Sequence, residues 1–214
     1  MRRRATNLNT RSASGLTLVE LMLSLTITAI VGVAISSMLV ATSRATATSS
    51  DGRSLLVRHR IISARMNASV RQSTMVLESG STYVVLWRGD SDSSGTPNMT
   101  ELQRIELSSG SITSYRWSLP AGWSDVAKAA ADTAYALNSN FNTATNTLKS
   151  SAYCTTEVWT TGVTAWSLTL DSATAQNASL LSYRVTIQVP GFSTTDTVIG
   201  AAALHTPTMI QGGT

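Results

Sequence analysis

Cysteine is almost absent from this sequence, because Cys154 is the only one among 214 residues. A single cysteine cannot close an internal bridge, so a disulfide scaffold is excluded. Charged residues make up 13% and aromatic residues 6%, whereas 43% of the chain is hydrophobic. Wholly disordered chains have fewer apolar and more charged residues, so this composition predicts a folded protein.

The net charge of +4 comes from the N-terminus. Of the 16 lysines and arginines, Arg2, Arg3, Arg4 and Arg11 precede Gly15, and the remaining 12 match the 12 acidic residues. The chain after Gly15 is formally neutral and shows no basic footprint for phosphate groups. We expect no nucleic-acid partner.

The longest apolar run covers residues 16–40, LTLVELMLSLTITAIVGVAISSMLV, with Glu20 as its only charge. As a helix it would be roughly 37 Å long at 1.5 Å per residue, and a bilayer core is about 30 Å thick. Arginines before the run and none directly after it predict a cytoplasmic N-terminus.

Three interpretations of this run compete. A cleaved secretory signal has a shorter apolar core of about 7–15 residues. A plain signal anchor fits the length but leaves Glu20 unexplained, because ionisable residues inside membrane spans usually have a function. A processed assembly helix explains Gly15, Leu16 and Glu20 together.

The string GLTLVE at 15–20, followed by the apolar helix, resembles the class III signal of type IV pilins and type II secretion pseudopilins. The resemblance implies that a prepilin peptidase cuts between Gly15 and Leu16 and methylates the new amine of Leu16. Glu20 becomes the fifth residue of the mature chain. Leu16 stands where phenylalanine is commonest in the family, and Ser14 stands where a basic residue often precedes the glycine.

Glu20 can set the register of an assembly. Its carboxylate and the terminal amine of a cleaved chain are both unfavourable in an apolar setting without a partner. In helices staggered by one subunit, the amine of Leu16 pairs with Glu20 of the neighbour. A wrong stagger would leave a buried charge alone, which costs several kcal/mol. The simpler alternative is that Glu20 lies at the membrane surface.

Helical spacing continues beyond the apolar run. Residues 41–52 are small and polar and indicate the exit from the membrane, and residues 53–77 then carry an apolar stripe on one face. Such a helix needs a surface to lie on, so its histidine is expected to be packed and not to bind a ligand. The stripe consists of Leu55, His59, Ile62, Met66, Val70 and Leu77.

The organisation along the chain predicts an α+β protein with a long N-terminal helix packed on an antiparallel β-sheet. We expect a cleaved leader at 1–15, a membrane and assembly helix at 16–40, an exit segment and amphipathic helix at 41–80, and a strand-rich body at 81–214. The body also contains an alanine-rich helix and then a polar loop. The expected strands are 83–87, 101–107, 112–117, 154–160, 163–170, 181–189 and 197–204, with a hairpin turn at 108–111, the helix at 125–137 and the loop to 151.

Residues 90–101, DSDSSGTPNMTE, have the spacing of a Ca²⁺ loop in which alternate oxygens converge on the ion. Pro97 departs from that pattern, and the flanks are strand-like instead of helical. The alternative is a solvated loop with ordinary turn residues. The candidate ligands are Asp90, Asp92, Ser94, Asn98 and Glu101.

No catalytic constellation is found in the sequence, and Cys154 is expected to be a packed thiol, so we expect no enzyme. The resemblance implies a structural subunit, most like a minor pilin or a J-type minor pseudopilin near the filament tip. Its partners would be the prepilin peptidase, other pilin or pseudopilin subunits and an inner-membrane assembly platform. The alternative is a single-pass anchored exterior domain that binds a ligand and does not polymerise. A membrane-anchored hydrolase is disfavoured by the missing motifs.

Overall fold

The computed structural model describes residues 17–188 and 195–205. The chain divides into two compact units, residues 1–50 and residues 51–214. The fold is α+β, as the sequence predicts. The helices are α1 (Leu18–Arg71), α2 (Asp125–Ala131) and α3 (Phe141–Leu148), and the strands are β1 (Met75–Ser79), β2 (Tyr83–Trp87), β3 (Leu102–Ser108), β4 (Ser111–Trp117), β5 (Cys154–Thr161), β6 (Val163–Leu170), β7 (Leu180–Gln188) and β8 (Thr195–Ala203).

Helix α1 is 54 residues long and includes the polar stretch expected to be an exit segment. The prediction that helical structure continues to Leu77 is wrong, because the helix ends at Arg71 and Leu77 lies in β1. Thr74 donates its backbone N–H to the carbonyl of Trp87 at 2.9 Å, which begins the pairing of β1 with β2. The residues after Arg71 thus pair with a neighbouring strand, although their apolar spacing would also fit a further helical turn.

The C-terminal part of α1 packs its apolar stripe into the main hydrophobic core. Ile62, Met66 and Val70 are fully buried there, and Leu55 packs against them at the edge. Both sheets, together with the residue that follows β8, supply the rest of this core. Those side chains are Val76, Val84, Leu86, Ile105, Ile112, Trp159, Val163, Leu181, Tyr183, Val185, Ile187, Val198, Ala202 and Leu204.

The strands form two antiparallel sheets where the sequence predicts one. The first has the order β1-β2-β3-β4-β5 and the second the order β6-β7-β8. The chain passes from one to the other at Gly162, whose φ of 78° is the left-handed conformation that glycine favours. The amide of Val163 then bonds the carbonyl of Gly110, and the amide of Gln188 bonds the carbonyl of Gly162.

A second, smaller core includes side chains from the opposite face of the five-stranded sheet. Phe141 at the start of α3 is 1% exposed and packs with Trp117, Leu102 and Met99. The polar loop expected at 138–151 therefore contains a helix. Its N-cap is Asn140, which accepts a hydrogen bond from the amide of Thr143.

A buried ion-pair network joins this layer to the sheet. Arg104 and Glu106 lie on the same face of β3, with Arg104 Nε 2.6 Å from Glu106 Oε2, and Lys149 bonds the other oxygen of Glu106. Arg104 also donates to Asn142 and Thr145 of α3. Because each charge has a partner of opposite sign or a polar acceptor, the network remains stable although Arg104 is only 4% exposed.

Candidate functional site

The first turn of α1 contains a reciprocal capping arrangement between Thr17 and Glu20. Thr17 donates its amide and its hydroxyl to Glu20 Oε2, both at 2.9 Å. In return, the amide of Glu20 donates to Thr17 Oγ1 at 3.3 Å. This is a capping box, in which the side chains of the N-cap and N3 residues satisfy otherwise unpaired helix amides. The TLVE string at 17–20 carries the signal for it, which the sequence analysis missed.

The helix that follows is long and apolar enough to cross a membrane. This span runs from Leu18 to Arg44, 27 residues with a mean hydropathy of 2.3. Apolar side chains are exposed along its length. They include Leu18, Val19, Leu21, Met22, Leu23, Leu25, Ile27, Ile30, Val31, Val33, Ile35, Met38, Leu39 and Val40.

Gly15 and Leu16, the expected cleavage and methylation residues, lie outside the described part of the chain. Processing at this position stays a prediction. Of the three residues that carry the resemblance, only Glu20 has a described environment. Its carboxylate is exposed and has a local partner in Thr17.

The acidic loop predicted at 90–101 lies between β2 and β3. Carboxylate oxygens of Asp90, Asp92 and Glu101 all lie within 4.8 Å of one another. Both aspartates are exposed, whereas Glu101 is 4% exposed. Three of the five candidate ligands therefore lie close together, and binding of an ion by them stays a prediction.

The loop's own donors hold the two aspartates in place. Asp90 accepts from the amides of Ser94 and Gly95 at 2.9 and 2.8 Å. Asp92 accepts from the amide of Ser94 at 3.0 Å and from the side-chain amide of Asn98. Hydrogen bonds from Ser94 lower the pKa of Asp92 below its ordinary value, and contributions from Asp90 and Asn98 act in the same direction. Asp92 is thus ionised at neutral pH.

The roles of Ser94 and Glu101 differ from those expected of a Ca²⁺ loop. The hydroxyl of Ser94 donates to the carbonyl of Thr96 at 2.9 Å, and its amide donates to both Asp90 and Asp92. Both oxygens of Glu101 are occupied by protein donors. Oε1 accepts from the amide and hydroxyl of Ser91, and Oε2 accepts from Trp87 Nε1 and the amide of Asn98.

A cleft of about 670 Å³ lies beside this loop. On the loop side Asp92 and Asn98 line it, and on the α2 side Asp125, Lys128 and Asp132 do so. The carboxylate of Asp132 accepts hydrogen bonds from the amide and the hydroxyl of Thr100 at 3.0 and 2.6 Å. The sequence did not indicate that α2 adds acidic side chains here, because that contact depends on packing between distant segments.

Comparison with known proteins gives no further assignment. The sequence matches no family model, and neither the curated proteins nor the solved structures contain one that is significantly similar to it.

Proposed function

We propose that the protein is a prepilin-type structural subunit. It is cleaved after Gly15, methylated on Leu16, and assembled through its N-terminal helix into a type IV pilus or a type II secretion pseudopilus as a minor component near the tip. The observation that carries this proposal is the exposed apolar span Leu18–Arg44 with a carboxylate, Glu20, in its first turn.

An exposed apolar helix of this length needs lipid or other helices around it. Both environments fit a subunit that waits in the inner membrane and later enters a filament. A shallow groove lined by Ala29, Gly32, Val33 and Ser36 gives one side of the helix a small-residue surface, and such surfaces permit close helix packing. The partners are other pilin or pseudopilin subunits.

Glu20 supports the proposal through its charge. Capping of the first turn requires a side-chain acceptor at this position, and glutamine provides a neutral one. A full negative charge at the start of an apolar helix adds a desolvation cost that glutamine avoids. Pairing with the terminal amine of an adjacent subunit would offset that cost and fix the stagger.

The positive charges of the leader keep the N-terminus in the cytoplasm, and the strand-rich body lies outside the inner membrane. Cleavage then requires a prepilin peptidase, and extraction from the membrane requires an assembly platform.

Mass spectrometry of the mature protein tests the cleavage step. We expect an N-terminal methylated leucine derived from Leu16, and we expect Gly15→Ala to block or slow processing. A functional protein that retains Met1, or one that begins beyond Ala41, would overturn the proposal and favour an anchored or secreted exterior domain.

Three variants separate the charge of Glu20 from its capping role. Glu20→Gln keeps the acceptor and removes the charge, Glu20→Ala removes both, and Thr17→Val disrupts the capping box while keeping the charge. We expect all three to be cleaved, and we expect both Glu20 variants to be lost from sheared filaments while Thr17→Val is retained. If Glu20→Gln enters filaments normally, the register role of the charge is wrong and the capping box alone explains this residue.

A further inference from the structure

We propose that β6 pairs edge to edge with β6 of a second copy of this chain, so that two three-stranded sheets join into one. The three-stranded sheet has the order β6-β7-β8, so β6 lies at its edge. The strand belongs to the second compact unit. The pairing requires neither cleavage at Gly15 nor assembly through the N-terminal helix, so it is independent of the proposed function.

One side of β6 carries backbone groups that no described strand uses. The amide of Asp171 donates to the carbonyl of Leu180 directly beyond the end of the β6–β7 ladder. Because hydrogen-bonded and non-hydrogen-bonded pairs alternate in an antiparallel ladder, Ser167 and Thr169 bond β7 and the residues between them face the free edge. Those residues are Trp166, Leu168 and Leu170. After the first residue of β6, no backbone hydrogen bond on that side is found among the described residues.

The main core is incompletely covered along this edge. The same three residues of β6 pack their side chains against the core, and all three are only half-buried. The inward side chains of the central strand β7 are 2% exposed or less, and Val198 and Ala202 at the other edge are 6% and 3% exposed. A strand added beside β6 would cover the half-buried row, and burial of apolar surface favours that addition.

β6 lacks the features that usually protect an edge strand. Natural proteins place charged residues, proline or bulges on such edges, because an unpaired edge recruits another strand. The sequence of β6, VTAWSLTL, has no charged residue, no proline and no glycine. Its register shift lies between Val163 and Ala165, so the stretch 166–170 is regular. A free, regular edge of this kind indicates an extended strand as the partner.

Charge favours a second copy of β6 as that strand. The other edge strands of the two sheets each carry an acidic residue, Glu78 in β1, Glu157 in β5 and Asp196 in β8. Two copies of any of these strands would bring like charges into one short ladder, which is unfavourable. Two copies of β6 bring no charges together.

Closure also favours pairing of β6 with itself. If β6 paired with the β8 edge of another copy, the contact would be head-to-tail, and an open array would leave a free β6 edge at its end. A two-fold pair of β6 strands closes a dimer in which no β6 edge is left free.

A two-fold axis at Leu168 uses all of the free backbone groups. Leu168 then faces Leu168 of the second copy, Trp166 faces Leu170 of the second copy, and each of these pairs exchanges two N–H···O bonds. On the outward face, the exposed Ser167 lies opposite the exposed Thr169 of the second copy. A shift of the axis by one residue would lose part of this pairing.

Sedimentation equilibrium of the full chain in detergent micelles tests the proposal, and we expect a monomer–dimer equilibrium for the wild type. Ser167→Glu/Thr169→Glu places like charges opposite each other and should raise the dissociation constant about tenfold or more. Ser167→Lys/Thr169→Glu places opposite charges together and should dimerise about as tightly as the wild type. Thr197→Glu/Ile199→Glu is the matched control, because these exposed residues have the same spacing on β8, and it should leave the dissociation constant unchanged.

Disulfide trapping tests the register, even if the charged variants fold poorly by circular dichroism. In a Cys154→Ser background, Ser167→Cys and Thr169→Cys should cross-link when the two variants are mixed, because Cα atoms of opposed non-hydrogen-bonded residues lie about 4.5 Å apart. Each variant alone should cross-link much less, since its two cysteines would be offset by two residues.

Four results would each overturn the proposal. They are a wild type that stays monomeric, a dimer that the folded Ser167→Glu/Thr169→Glu variant leaves unchanged, an equal effect of the β8 control, and no preferential cross-link in the mixture. A dimer that is insensitive to the β6 charges would assign self-association to another surface, such as the apolar span.

Discussion

The indole Nε1 of Trp87 donates a 2.9 Å hydrogen bond to Oε2 of Glu101, and both side chains are buried. The same carboxylate accepts from the loop residue Ser91 and from the amide of Asn98. One buried group therefore fixes the end of β2, the acidic loop and the turn that leads into β3. The loop can present its aspartates at a defined separation because this anchor lies beneath them.

Glu101→Ala should lower the free energy of unfolding by about 2–4 kcal/mol, because it leaves several buried donors without an acceptor. Trp87→Phe removes one of those donors and should have a smaller effect. Urea denaturation followed by circular dichroism measures both. Glu157→Gln is the control, since Glu157 forms an exposed pair with Arg65 and such pairs contribute about 0–1 kcal/mol. Equal effects of Glu101→Ala and Glu157→Gln would contradict the anchoring role.

Lowering the pH should reduce the stability of the fold, because it protonates the carboxylate of Glu106. Burial alone would raise the pKa of Glu106, but the hydrogen bonds and charges of Lys149 and Arg104 outweigh it and lower the pKa below the ordinary 4.5. A carboxylate with a lowered folded-state pKa stabilises the fold above its unfolded pKa, and this contribution is lost as the pH falls through the folded value.

Unfolding of the wild type and of Glu106→Gln should therefore differ in pH dependence. We expect the variant to be less stable at pH 7 and to lose less stability than the wild type as the pH is lowered from 5 through 4.5 and below. Urea midpoints across this range give the comparison. Parallel pH profiles would show that the ion-pair network does not contribute to acid sensitivity.

Gly200 in β8 has no room for a side chain. A Cβ there would lie 2.3 Å from the hydroxyl oxygen of Tyr183 and 2.4 Å from its ring, and Tyr183 is 2% exposed. Gly200→Ala should destabilise the protein by about 1–3 kcal/mol through overpacking. Gly122→Ala, where a Cβ meets no described atom within 4 Å, is the matched control and should be close to neutral. A thermal melt of each variant decides whether the contact matters.

The hairpin between β3 and β4 turns through Ser109 and Gly110, with φ of 49° and 72°. Two positive φ values in a two-residue loop are typical of a type I′ turn, which favours Asn-Gly. Ser109→Asn should raise the unfolding free energy by a few tenths of a kcal/mol, and Gly110→Ala should lower it by about 1–2 kcal/mol. Calorimetric melting temperatures should move in opposite directions. A shift in the same direction would exclude this turn conformation as the cause.

Sequence patterns located most of the strands because alternating and β-branched residues report which side of a strand is buried. The expected strand at 83–87 coincides with β2, and the expected strand at 163–170 coincides with β6. The pattern missed β1, because Met75–Ser79 continues a helical apolar spacing. It also missed α3, since Phe141 is the only hydrophobic residue of that helix that is buried.

At the acidic loop, the spacing of Asp90, Asp92 and Glu101 predicted their convergence. It did not predict that Glu101 is held by Trp87, because residues in a strand and in a loop meet only when the loop folds back. At the start of α1, the capping box of Thr17 and Glu20 can be predicted from four consecutive residues, since its contacts are local.

The amino-acid sequence by itself determined the long apolar helix, the position of its single carboxylate and the α+β class. Each of these depends on the spacing of polar and apolar residues along the chain, because apolar side chains are buried away from water and polar ones are not. Only the tertiary structure decided where α1 ends and β1 begins, that the strands divide into two sheets, and which donors form hydrogen bonds with Glu101. Those features depend on contacts between segments far apart in the chain, and local preferences are too weak to determine such contacts.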